Sequence, residues 1–153
     1  MKAKHLFIAS TLLVAACGES PQKQQNQADP SVDKHMLRPG VYEIKFHREL
    51  MLPGQPPEPS DEVDSQCFSA TDLAEPQKVL VPNSGNCTMQ EAKAEGGYVS
   101  ASMTCHVPEI SESELIFGVH GNYNPEGAEL TGESNVDGAT LHETRTFRRT
   151  GDC

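Results

Sequence analysis

A mainly β fold is what the sequence predicts: a single antiparallel curved sheet or half-barrel of about seven strands with one short helical segment. Three observations lead there. From Val41 onward apolar and polar residues alternate with a period of two. Turn signals punctuate that alternation at Glu95-Gly96-Gly97, Asn124-Pro125-Glu126-Gly127 and Asp137-Gly138. Cys67, Cys87, Cys105 and Cys153 are spread through the same region, which suits two disulfides in a small domain. The length, 153 residues, allows one such domain. With no Trp and 5% aromatic residues the core is modest, and covalent staples help a core of that size.

The folded part is expected over 38–153 and opens at Arg38-Pro39-Gly40. In Val41 to Leu50, Tyr42, Ile44, Phe46 and Leu50 share one face of a strand, and Glu43, Lys45 and His47 the other. Leu52 to Pro59 is Pro-rich and reads as a loop. Glu62 to Phe68 reads as a second, weaker strand. Ser69-Ala70-Thr71-Asp72 has the form of a capping box, and Pro76 suits a first helical turn. One or two helical turns are therefore expected between Thr71 and Leu80, closed off by Pro82.

Cys87 to Ala94 and Tyr98 to His106 flank Glu95-Gly96-Gly97, a three-residue hairpin loop with Gly97 in the left-handed position. That loop pairs Ala94 with Tyr98, and so sets Met89 opposite Met103 and Cys87 opposite Cys105. The register brings Cys87 and Cys105 to disulfide distance. By elimination Cys67 pairs with Cys153. A zinc site is the rival for four thiols, but no CxxC pair exists and the spacings are wide.

The last third repeats the pattern in three strands, Glu114 to Tyr123, Ala128 to Val136 and Ala139 to Arg149. Their turns align Leu115 with Val136 and Ala139, Phe117 with Ser134 and Leu141, and Tyr123 with Ala128 and Phe147. The opposite face is polar and holds His120, Asn122, Glu129, Thr131, Glu133, Thr140, His142, Thr144 and Arg148.

The N-terminus reads as an export signal over 1–16. Lys2 and Lys4 precede an uncharged apolar run, Leu6 to Ala16, which is shorter than the roughly 20 residues a bilayer span needs. The run ends in Val14-Ala15-Ala16-Cys17, which resembles the lipobox of bacterial lipoproteins. An ordinary cleaved signal with an incidental cysteine is the alternative. The resemblance implies lipidation at Cys17 and, with Gly18 next, passage to the outer membrane. A durable anchor needs more than one acyl chain, at about 0.8 kcal/mol per buried CH₂. Residues 17–37 then form the lipidated cysteine and a polar tether, and the domain lies in the periplasm.

Charge narrows the partners. Without Lys2 and Lys4, 10 basic residues stand against 22 acidic ones, a net of −12. That disfavours nucleic acid and flat binding to anionic lipid. No hydrolase elbow, HExxH, P-loop or dinucleotide fingerprint occurs, so neither a cofactor nor a catalytic set is assigned. His120 and His142 fall on one polar face, two strands apart and offset by two residues. At about 10 Å they are too distant to share one zinc ion.

Glu143 and Arg145 stand out because alternation puts both on the apolar face, Glu143 opposite Gly132 and Arg145 in line with Gly121. With Phe117, Leu141 and Phe147 they make up a candidate pocket inside a concave sheet. A charge pair reaching water at an open sheet edge is the other reading.

Arg38-Pro39-Gly40-Val41-Tyr42-Glu43 resembles the opening motif of a group of secreted bacterial proteins known as domain of unknown function 3617. Cys67-Phe68-Ser69-Ala70-Thr71-Asp72 and Glu75-Pro76-Gln77-Lys78-Val79-Leu80 resemble its second block. Cys87, Cys105 and Gly151-Asp152-Cys153 match its remaining positions. Tyr42 stands where that family more often has Trp. The resemblance implies export and fold, and no activity. The expectation is a membrane-anchored periplasmic lipoprotein acting as a non-catalytic envelope binding or structural module, with an envelope protein or small apolar ligand as partner. A small apolar-ligand carrier using the curved sheet, a hydrolase and a metal-handling protein are the alternatives.

Overall fold

The computed structural model describes residues 35–83, 85–106, 108 and 114–153. The expected export signal over 1–16, Cys17 and the expected tether as far as residue 34 lie outside the described residues. Seven strands follow in order: β1 (Gly40–Met51), β2 (Glu58–Phe68), β3 (Cys87–Glu95), β4 (Tyr98–Cys105), β5 (Leu115–Asn124), β6 (Gly127–Val136) and β7 (Ala139–Gly151). A 3-10 turn (Asp72–Ala74) and a five-residue helix, α1 (Pro76–Leu80), lie between β2 and β3. The strands form one antiparallel sheet in the order β2-β1-β7-β6-β5-β4-β3, an open curved sheet with β2 and β3 at its edges.

Alternation buries one face. Tyr42, Ile44, Val99, Met103, Leu115, Phe117, Val119, Leu130 and Phe147 all point into it. Because β2 and β3 are opposite edges, the chain between them has to cross the sheet. It crosses over the apolar face, and Leu73, Leu80 and Val81 become part of the core. The crossing begins with the expected capping box. The Ser69 amide and hydroxyl both donate to the Asp72 carboxylate, at 2.8 and 2.7 Å, and the Asp72 amide returns a bond to the Ser69 hydroxyl. Those bonds hold the exposed Asp72 carboxyl below its usual value. Pro76 opens α1, where its missing N–H costs nothing. Leu37, just before β1, is also buried in the core.

Two expectations are corrected. The Leu52–Pro59 loop is shorter, because β2 already begins at Glu58. Pro59 is tolerated there because an edge strand leaves one side of its backbone unpaired. The β3–β4 loop has two residues rather than three. Gly96 and Gly97 have φ of 58° and 84°, the left-handed pair that a type I′ turn requires, so Glu95 pairs with Tyr98 and Ala94 with Val99. That is one step away from the expected register. A β-bulge between Met89 and Glu91 then restores it, so that Met89 faces Met103 and Cys87 faces Cys105 as expected. The bulge has a clear physical reason. Without it Glu91 and Lys93 would follow Cys87 and Met89 onto the apolar face. With it Ala92 and Ala94 turn inward, and Glu91 and Lys93 pair in solvent at 2.6 Å.

The last three strands have the expected register. Tyr123 pairs with Ala128, Ala128 with Phe147, Ser134 with Leu141 and Val136 with Ala139. Asp137 and Gly138 carry the positive φ values of a second type I′ turn. Both expected disulfides are present, Cys67–Cys153 with a Cα separation of 5.6 Å and Cys87–Cys105 with 4.0 Å.

The two staples close loops of very different size, with sequence separations of 18 and 86. On the chain-entropy account they contribute about 3 and about 4.5 kcal/mol. Reduction is expected to lower the melting temperature by more than about 10 °C. Differential scanning calorimetry with and without a phosphine reductant measures it. An unchanged melting temperature would show that the disulfides do not carry this stability.

Candidate functional site

Alternation carries Glu143, Arg145 and Arg149 to the apolar face of β7, and of these Glu143 and Arg145 are the more deeply buried. Their side chains are 6% and 10% exposed, so both are desolvated rather than spread over a sheet edge. Glu143 lies opposite Gly132, and Arg145 reaches Gly121 through Leu130. Strand β1 adds a third charge. Arg48 is not among the residues that the sequence singles out, although it falls between Phe46 and Leu50 in the same alternating series. Its Nε donates to Glu143 Oε2 at 2.6 Å, and Arg145 Nε donates to Glu143 Oε1. One buried carboxylate thus accepts from two guanidiniums, with one oxygen for each.

Phe46 completes the arrangement. Its ring centre is 5.1 Å from the Arg48 guanidinium carbon and 5.6 Å from that of Arg145. Both cations therefore have an aromatic face as well as an anion. Arg48 is the more exposed member and reaches outward to Glu62 on β2 at 3.3 Å. Arg145 reaches the other way, donating to the Leu80 carbonyl at 3.4 Å. The cluster therefore ties β1, β2 and β7 to the end of the crossing helix.

The other candidate pocket residues are packed. Phe117 is 5% exposed, and its ring tip occupies the space where a side chain on Gly132 would stand. Phe147 is buried, and Leu141 is half-buried. The buried Ser134 hydroxyl, paired across the sheet with Leu141, has no hydrogen-bond partner among the described residues. Clefts open elsewhere. One of about 400 Å³ separates Gln66 and Phe68 from Lys78 and Pro82, and one of about 390 Å³ separates α1 from Met89 and Ala92. Phe147 borders a third, of about 310 Å³, at Asn122, Asn124 and Gly127.

His120 and His142 lie where the register puts them, on the solvent face and two strands apart. His120 is exposed, and His142 Nδ1 is 3.9 Å from Glu133. Among the described residues no group of three His, Cys, Asp or Glu is close enough to hold a metal ion.

The Glu143 cluster makes a graded prediction for stability. Removing the charge of Glu143 leaves two guanidiniums against one ring, one of them buried. Glu143→Gln is expected to cost about 3 kcal/mol. Arg48→Ala removes a partner that is 39% exposed, and solvent screening reduces its loss to about 1 kcal/mol. Urea unfolding midpoints measure both, and equal costs would contradict the assignment of Glu143 as the centre.

No curated protein and no solved structure matches the chain. A family model described as Protein of unknown function (DUF3617) matches residues 37–153, from the buried Leu37 through Cys153. The match takes in the whole sheet, the crossing helix and both disulfides. This chain belongs to that family.

Proposed function

We propose that this chain is a lipoprotein of the bacterial cell envelope, anchored through Cys17 and facing the periplasm from the outer membrane. Its domain serves there as a non-catalytic binding or structural module. The observation that carries the reading is the register of the N-terminus. Basic residues, an uncharged apolar run and small residues lead directly into Cys17. The remaining four cysteines are all consumed in disulfides, which fits an oxidising compartment. The buried charges of the inner face are taken up with one another. That supports a domain that binds or braces rather than one that turns over a substrate. The acidic surface favours protein partners over nucleic acid.

Membrane fractionation of cells producing the chain and its Cys17→Ser variant tests the anchor. The unmutated chain is expected with the outer membrane. The variant is expected either soluble in the periplasm or as uncleaved precursor. Recovery of a cleaved Cys17→Ser variant in the same membrane fraction as the parent would overturn the reading.

A further inference from the structure

The two edges of the sheet are not alike. Strand β3 is short, bulged at Gln90 and flanked by α1, which packs against it. Its exposed side carries both signs of charge, Glu91 with Lys93. These are ordinary devices for blunting an edge. Strand β2 is guarded by one sign of charge alone, since all four of its charged residues are carboxylates. It pairs with β1 in unbroken register from Glu58 to Phe68, without a bulge, and every residue before Phe68 is exposed. Pro59 interrupts only its start. Its other side meets no strand among the described residues. About half of its backbone N–H and C=O groups therefore face outward, as they do along any antiparallel edge.

The side chains decide what can pair there. Glu58, Asp61, Glu62 and Asp64 are acidic, and β2 has no basic residue. Glu58, Ser60, Glu62, Asp64 and Gln66 fall on one face by alternation, so its carboxylates recur along a single row. Asp61 is met by His47 and Glu62 by Arg48, while Glu58 and Asp64 make no ion pair among the described residues. A second copy of this chain would set carboxylates against carboxylates, which destabilises cross-strand pairs. A basic partner would meet the opposite sign.

We propose that the open edge of β2 is a docking strand for an extended, lysine- or arginine-rich segment of another protein, which joins the sheet as an eighth strand. Backbone hydrogen bonds supply the pairing, and the acidic row selects the charge. The proposal rests on the reading of the domain as a binding module. Its test uses the purified chain, so the outcome does not depend on where the chain resides.

The probe is a ten-residue peptide of alternating Lys and Thr. The controls are the same peptide with Glu for Lys, and the Lys peptide N-methylated at every residue. Binding is read by fluorescence anisotropy, and the site by amide hydrogen exchange. The Lys peptide is expected to bind, more weakly as salt rises, and to slow exchange of the outward amides of β2. The double substitution Glu58→Lys with Asp64→Lys is expected to weaken binding about ten-fold or more. Both positions are exposed, and an unchanged melting temperature verifies folding. Equal binding of the N-methylated peptide would overturn the proposal, because charge alone would then explain the affinity. Protection on another element, absence of binding, or a dimer in sedimentation with β2 already protected would overturn it as well.

Discussion

A single open sheet has one face to bury and no second sheet to bury it against. Most of this structure follows from that constraint. The chain places β2 and β3 at opposite edges, and the connection between them has to travel across the apolar face. Eighteen residues separate Phe68 from Cys87, of which α1 takes five. So short a cover brings few side chains, with Leu73, Pro76, Leu80 and Val81 as its buried apolar residues. The sheet must fill the remainder itself. Phe117 does so by laying its ring tip over Gly132, and Tyr42 by packing on Phe68 with ring centres 5.5 Å apart.

The same shortage accounts for the charges inside. Beyond the last residue of the helix the apolar face continues, and there it holds Glu143, Arg145 and Arg48 in place of aliphatic side chains. Ionic groups in such a place are weak evidence for stability, since well-packed apolar residues can replace them at no loss. What they supply is direction. The Arg145 guanidinium has partners on β1, on β7 and at the Leu80 carbonyl. Its directional bonds can distinguish one seating of the cover from a neighbouring one, which apolar contact does poorly.

Much of the fold is legible in the residues, and the exceptions have physical causes. Turn chemistry and alternation are enough for β4 to β7, because each strand there has one apolar and one polar side. In β3 the alternation is divided. Cys87 and Met89 share one parity with Glu91 and Lys93, whereas Ala92 and Ala94 have the other. That conflict is itself the signature of a bulge, and it is readable once two glycines are allowed a two-residue turn. The beginning of β2 had no signal to read, because a strand exposed on both faces has no alternation of burial. For the candidate site, the inward direction of Glu143 and Arg145 follows from period two. The pairing of Arg48 with Glu143 does not, since the two lie 95 positions apart and are brought together by the pairing of β1 with β7.

The placement of the cysteines bears on how the fold can be reached. Cys67 precedes Cys87 and Cys105, yet its partner is Cys153, which arrives with β7. An oxidant acting on thiols in order of their appearance would join Cys67 to Cys87, a bond the finished sheet cannot hold. The β3–β4 hairpin offers a way out. Its loop is short and its contacts local, so it can close long before the non-local pairing of β1 with β7. Once Cys105 is present, the bulged register delivers it to Cys87 and withdraws that thiol from competition. The hairpin then acts as a protecting group made of backbone, leaving Cys67 with one thiol to wait for. Residues that set the register of β3, far from Cys67, would on this account govern the fidelity of the bond that Cys67 makes.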